Sequence, residues 1–326
     1  MKDSLSSTKK NKVKEKTFSR LHFFDTVIIL LLLNVAAIAV IIFYFQRIYA
    51  LSLPTSVNNY LKISSVPLSS DLESINASAS AYVVYDTNSR TVVASKNKNL
   101  RFSPASTAKV LSAILVLEHY DLDQYLTVPL NIYSVDGSKM HLAPGEEVSV
   151  RTFLYGLMLP SGNDAAYTLA YYYKNGIGNF VEDMNRKAKE LGLLNTYFLD
   201  PSGYEDGNFT TGEELARLGA YAMENKEFAE IVKTRYVELA NKDNSHTYVL
   251  KNLNELLEYD NVLGIKTGFT NEAGGVLLTA IQKGDSIFVV SVLKSQDRFY
   301  DTRDLMSFIV EKVNFAIPQE SHQRTQ

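Results

Sequence analysis

From Thr26 to Phe45 the chain reads TVIILLLLNVAAIAVIIFYF, with no charge and only Thr26 and Asn34 polar. Twenty helical residues at 1.5 Å each reach about 30 Å, the hydrocarbon thickness of a bilayer. The pattern then becomes that of a globular domain. SAYVVYDTNSRTVVASKN, residues 80–97, predicts a hairpin turning at Asp86-Thr87-Asn88-Ser89. Between Val110 and Leu117 only Ser112 is polar, which predicts a helix buried on all sides. Helical patterns dominate from about 120 to 235: RTFLYGLML stopped by Pro160, then DAAYTLAYYYKNG, GNFVEDMNRKAKELG and TTGEELARLGAYAMEN. The last of these opens with Thr211 and Glu214 spaced as a capping box. Apolar, β-branched strands return in VLGIKTG, GGVLLTAIQ and SIFVVSVL, the last two joined across Lys283-Gly284-Asp285. Near-continuous apolar strands imply a sheet covered on both faces, and RFYDTRDLMSFIVEKV offers a covering helix. With strands at both ends and helices between, the expected architecture is α/β. It is one mainly antiparallel sheet flanked by helices, with an inserted helical subdomain.

Charge gives the apolar run an orientation. Residues 1–22 carry Lys2, Lys9, Lys10, Lys12, Lys14, Lys16 and Arg20 against Asp3 and Glu15. A basic flank keeps the N-terminus cytoplasmic and the remainder outside. A cleaved signal peptide would have a shorter apolar core and small residues before the cut, whereas QRIYA places Ile48 two before Ala50. The expected organisation is therefore a basic cytoplasmic tail (1–22), a transmembrane anchor (23–48) and a Ser-, Asn- and Pro-rich stalk (49–76). A catalytic domain (77–318) and a short tail (319–326) follow. The formal charge of −3 gives no footprint for nucleic acid. There is no cysteine, which excludes disulfides, thiol nucleophiles and cysteine-ligated metals, and the five histidines show no metal-ligand spacing.

The candidate chemistry starts at RFSPASTAK. Lys109 follows Ser106 by three residues, so the two share a helix face. A serine hydroxyl needs a neighbouring base to become a nucleophile. A lysine at the head of a buried helix is a candidate base because burial disfavours its charge. A lysine that snorkels or pairs with a carboxylate is the plain alternative. Ser-x-x-Lys also occurs at Ser6/Lys9, Ser7/Lys10 and Ser95/Lys98, but only Ser106 stands at the mouth of a buried helix. LPSGNDAA places Ser161 and Asn163 on a turn between two helices, where a simple capping turn is the alternative. GIKTGFT places Lys266, Thr267 and Gly268 at the end of a strand, where lysine and threonine can hold a substrate carboxylate and Gly268 admits close backbone approach. The order Ser-x-x-Lys, Ser-x-Asn, Lys-Thr-Gly is that of penicillin-binding proteins and class A β-lactamases.

On these motifs, and on GSKMHLAPGEEVSVRTFLYGLMLPSGNDAAYTLA, NTYFLDPSGY and GIKTGFTNEAGG, the chain from about Ala79 to Val313 resembles the D-alanyl-D-alanine carboxypeptidase family of low-molecular-mass penicillin-binding proteins. The resemblance implies the serine β-lactamase-like α/β fold and no cofactor or metal. It implies hydrolysis of the terminal D-Ala–D-Ala bond of peptidoglycan stem peptides through a Ser106 acyl-enzyme, with β-lactams as covalent inhibitors. Lys109 would take the Ser106 proton, and Ser161 and Lys266 would relay protons to the leaving amine. Asn163 would hold the substrate amide and Thr267 its carboxylate. The backbone N–H groups of Ser106 and Phe269 would form the oxyanion hole. Two departures stand out: Tyr204 replaces the leucine of many members, and Gln326 follows soon after the last predicted helix, where many members continue into a β-domain with a membrane helix. The N-terminal span would then anchor the chain to the bacterial plasma membrane. Three competing readings share the motifs: a DD-endopeptidase acting on cross-links, a β-lactamase using Glu213 or Glu214 for deacylation, and a non-catalytic wall-binding protein.

Overall fold

The computed structural model describes residues 28, 30–45, 67–69 and 75–315. The chain divides into two units between Ile63 and Ser64. In the first, residues 30–45 form helix α1 with exposed side chains. Asn34, the polar residue within it, donates from Nδ2 to the Leu30 carbonyl at 2.9 Å, so its amide is served by its own helix. Among the described residues no helix is long and apolar enough to cross a membrane. The rest of the expected 23–48 anchor, both expected tails, and most of the 49–76 stalk lie outside the described residues.

The second unit begins with β1 (Pro67–Ser69), the hairpin β2 (Ala81–Asp86) and β3 (Thr91–Lys96), and the short β4 (Arg101–Phe102). A 3₁₀ turn at Ala105–Ala108 leads into α2 (Lys109–His119). Then come β5 (Tyr125–Thr127), β6 (Glu147–Ser149), α3 (Val150–Met158), α4 (Asn163–Tyr172) and α5 (Gly176–Glu190). After them lie β7 (Thr210–Thr211), α6 (Gly212–Met223), α7 (Lys226–Lys233) and a second hairpin, β8 (Tyr236–Ala240) and β9 (Thr247–Lys251). The chain closes with β10 (Val262–Thr270), β11 (Gly274–Lys283), β12 (Ser286–Ser295), α8 (Arg298–Lys312) and β13 (Val313–Phe315).

The main sheet runs β10-β11-β12-β2-β3, every pair antiparallel, so the two ends of the domain do build one sheet. Both faces are covered, which explains the lack of polar alternation. Phe288, Val290 and Val292 of β12 pack in one core with Leu305, Phe308 and Ile309 of α8. Val289 and Leu293 of the same strand pack in the other, with Leu215 and Leu218 of α6. The edge strand β10 carries Lys266, Thr267 and Gly268 in its middle, opposite Leu278, Leu277 and Val276, rather than at its end as the sequence suggested.

Two expectations are corrected in detail. Pro67–Ser69, inside the expected stalk, pairs antiparallel with Val313–Phe315 and belongs to the globular unit. The chain then lies along α8, where Asn76 N donates to Asp304 Oδ2 at 2.8 Å and Ser78 N and Oγ donate to the Asp301 carboxylate at 2.8 Å each. The capping box is only half formed. Thr211 Oγ1 accepts from Glu214 N at 3.2 Å, but the Glu214 carboxylate turns away, to the Asn195 backbone N at 2.9 Å and Thr196 Oγ1 at 2.7 Å. Glu214 therefore pins a distant loop, and Thr211 alone caps α6. Thr211→Ala is expected to cost about 1 kcal/mol, the usual value of an N-cap. Glu214→Ala is expected to cost about 2–4 kcal/mol because it removes the acceptor of three donors, Asn195 N, Asn195 Nδ2 and Thr196 Oγ1, at a nearly buried site. Urea unfolding of the two variants checks this order.

Candidate active site

Ser106 sits in the 3₁₀ turn and Lys109 is the first residue of α2. The turn is reached through Ala105, whose φ of +45° is unusual for a residue with a side chain. Lys109 is fully buried and Ser106 partly so. Lys109 Nζ lies 2.9 Å from Ser106 Oγ, 2.6 Å from Asn163 Oδ1 and 2.9 Å from the Ser202 carbonyl oxygen. Two of these partners can only accept. A neutral amine has two N–H groups and one lone pair, so once both N–H groups are given to Asn163 and Ser202, the lone pair faces the Ser106 hydroxyl. Burial lowers the Lys109 pKa to about 7, against the opposing pull of the Asp200 and Asp164 carboxylates. The amine is thus available as a base near neutral pH.

The carbonyl that fixes Lys109 comes from a loop folded around Asp200. Its carboxylate accepts from the backbone N of Ser202, Tyr204 and Glu205 and from Asn208 Nδ2. Burial pushes the Asp200 carboxyl up, but these hydrogen bonds outweigh it and hold the group below the usual range. Gly203 (φ +76°) lets the loop touch the turn that carries Ser106: a Cβ there would lie 2.0 Å from the Ala105 carbonyl oxygen. The neighbouring Pro201 carbonyl accepts from Ser112 Oγ at 2.6 Å, which accounts for the single polar residue in the apolar run.

Asn163 begins α4 with its amide locked. Oδ1 takes the Lys109 bond and Nδ2 donates to the Asp136 carbonyl at 2.7 Å, leaving one N–H. Asp164 ties down the loop before β6 by accepting from Met140 N at 2.9 Å and Leu142 N at 3.1 Å. Ser161 has φ +67° and a buried Oγ with no hydrogen-bond partner. The capping alternative is not realised, since α4 has no side-chain cap. A strained residue holding an unpaired buried hydroxyl marks a position kept for a ligand or a transferred proton.

From the sheet edge, Gly268 completes the enclosure. A Cβ on it would lie 3.1 Å from Ser106 N and 3.2 Å from the Pro104 carbonyl oxygen, so this backbone packs on that of the Ser106 turn. Thr267 is buried, and Phe269 is 60 % exposed. Lys266 is buried rather than a solvated edge residue, and its Nζ donates to the Thr267 carbonyl at 3.0 Å instead of reaching Ser161. Burial, then the nearby Lys109 and Arg298, push its pKa well down. Arg298, which the motifs do not announce, opens α8 beside Gly275, half-buried and with Nε unpaired. The Glu255 and Asp297 carboxylates act on Arg298 from nearby, but among the described residues neither Lys266 nor Arg298 forms a salt bridge, which leaves both able to meet an anion. The competing Ser95/Lys98 pair is structural, for Lys98 is bound to Glu213 at 2.7 Å. Among the described residues no group of three or more His, Cys, Asp or Glu side chains could hold a metal ion.

The profile of the D-alanyl-D-alanine carboxypeptidase peptidases matches residues 68–297. The chain belongs to this family. It is 32 % identical over 252 residues to the D-alanyl-D-alanine carboxypeptidase DacF of Bacillus subtilis, a match covering 75 % of this chain and 64 % of that protein. It is 31 % identical over 240 residues to a D-alanyl-D-alanine endopeptidase of Escherichia coli, covering 72 % of this chain and 77 % of the other. The crystal structure of the Streptomyces K15 DD-transpeptidase superposes with a TM-score of 0.68 at 32 % identity, covering 72 % of this chain and 97 % of that one. The match confirms the α/β fold with its antiparallel sheet. As a serine hydrolase of this family, the protein should depend on neutral Lys109. Acylation of Ser106 by a β-lactam is expected to speed up as pH rises through about 7 and to level off above. A stopped-flow pH profile of acylation tests this, and a rate that falls across that range would contradict it.

Proposed function

We propose that the protein is a serine D-Ala-D-Ala carboxypeptidase that trims peptidoglycan stem pentapeptides. The observation that carries this reading is the Lys109 lone pair facing Ser106 Oγ inside a buried, hydrogen-bonded cage. Ser106 Oγ attacks the carbonyl carbon of the penultimate D-alanine while its proton passes to Lys109 Nζ. The backbone N–H groups of Ser106 and Phe269 receive the developing oxyanion. The C–N bond then breaks, and the proton returns by way of Ser161 to the amine of the departing D-alanine. Water repeats the sequence on the acyl-enzyme and frees the shortened stem. The terminal carboxylate lies toward Thr267, Lys266 and Arg298. A guanidinium keeps its charge where two adjacent buried lysines cannot both do so, so Arg298 supplies the lasting positive charge. Asn163 directs its remaining N–H to the substrate amide while holding Lys109 in place.

The β-lactamase alternative requires a carboxylate to drive deacylation. Glu213 is paired with Lys98 and Glu214 with Asn195 and Thr196, so neither is free for that task. Endopeptidase activity uses the same atoms on a larger substrate, and relatives of both names are similar to this chain. For the cell, we propose that the apolar run 26–45 with its basic flank anchors the chain in the bacterial plasma membrane. The N-terminus would then be cytoplasmic and the catalytic unit outside.

Mass spectrometry of the protein with penicillin and with a pentapeptide stem is the direct test. Wild-type protein should gain one penicillin adduct and release D-alanine. Ser106→Ala should do neither. Lys109→Ala should lose about 10²- to 10⁴-fold in acylation rate. Wild-type protein that takes up no adduct would overturn the reading.

A further inference from the structure

The cleft continues past Asn163. A cavity of about 330 Å³ opens beside it, walled by Tyr167, Tyr171 and Tyr204 and by the carboxylates of Asp136 and Glu205. A wider hollow of about 680 Å³ shares Asp136, Tyr204 and Glu205 with the first and extends past Phe269 to Asp206 and Glu272. Neither lining contains a lysine, arginine or histidine. Among the described residues none of these four carboxylates forms a salt bridge. The walls are held in register with the nucleophile. Asp200 fixes the backbone of Tyr204 and Glu205, and the Asp136 carbonyl is the acceptor for Asn163.

The four carboxylate residues are solvent-exposed, and aromatic faces combined with carboxylates, with no basic group among them, favour an organic cation. The carboxylates also act on two residues of these linings. Tyr167 is pushed up to about 12 by burial and by the Asp200 and Glu205 carboxylates. Glu272 is raised by its hydrogen bond to Asp206 and by that group's charge, with Lys294 the cation that opposes this. A neutral sugar ring could stack on the tyrosines, but it would leave Asp136 and Glu205 without a counter-charge.

We propose that this vestibule binds a primary alkylammonium, the free side-chain amine of the diamino residue in an uncross-linked stem peptide. The proposal rests on the carboxypeptidase reading above and deepens it. Once that amine has been acylated in a cross-link it is a neutral amide, so a blocked stem becomes a poorer substrate. The enzyme would thereby read the cross-linking state of the stem it trims.

The test compares two pentapeptides ending in D-Ala-D-Ala that differ only in a free or Nε-acetylated lysine at the third residue. D-alanine release is followed at low and high salt. The free amine should give kcat/KM about tenfold higher, chiefly through KM, with the gap narrowing as salt screens it. In the Asp136→Asn/Glu205→Gln double variant the ratio between the two peptides should fall towards one. Equal kcat/KM values in the wild type, a preference for the acetylated peptide, or a ratio unchanged in the double variant would each overturn the proposal. Release from neither peptide would instead overturn the carboxypeptidase reading, and this inference with it.

Discussion

The structure depends on the burial of one amine. Lys109 has no access to water, so its charge is disfavoured and its three hydrogen-bonding positions must all be met within the protein. Each of the three comes from a different part of the chain: its own turn, the start of α4, and the loop after Pro201. The same geometry that satisfies the amine sets the direction of its lone pair. Stability of the cage and reactivity of Ser106 are therefore one requirement, and surrounding features follow from it. Asp200 exists to shape the loop that delivers one carbonyl. Asp164 holds down the loop that steadies Asn163. The positive φ at Ala105 and Ser161 is the local cost of turning the chain into this arrangement.

Much of this was legible in the sequence because it is local. Ser106 and Lys109 are three residues apart, and their fit needs only a helical turn. The apolar run after them declared the burial that tunes the lysine. The sandwich was legible too, since β12 offers apolar residues at both odd and even positions and must be covered on both sides. The Lys-Thr-Gly strand was recognisable as an edge, although its register was not: the motif falls mid-strand because β10 continues to Thr270 before turning.

What escaped was carried by backbone atoms or by distant partners. A carbonyl has no sequence signature, so nothing in DPSGY reveals that Ser202 supplies an acceptor 93 residues from Lys109. Arg298 opens a covering helix and looks like a surface residue until the sheet brings it beside Lys266. Glu214 shows how spacing can mislead. Its position fits a capping box, but tertiary partners at Asn195 and Thr196 outcompete the local bond. The bond from Lys266 Nζ to the adjacent Thr267 carbonyl escaped for a similar reason, because its acceptor is a backbone atom.

The pairing of Pro67–Ser69 with Val313–Phe315 has a mechanical meaning. The incoming segment is zipped to the last strand and then stitched to α8 through Asp304 and Asp301. Tension arriving from the N-terminal side would be taken up in shear by this ladder, on the face of the sheet opposite the core that contains Ala105 and Ala108. The turn that carries Ser106 packs in the other core, away from this ladder.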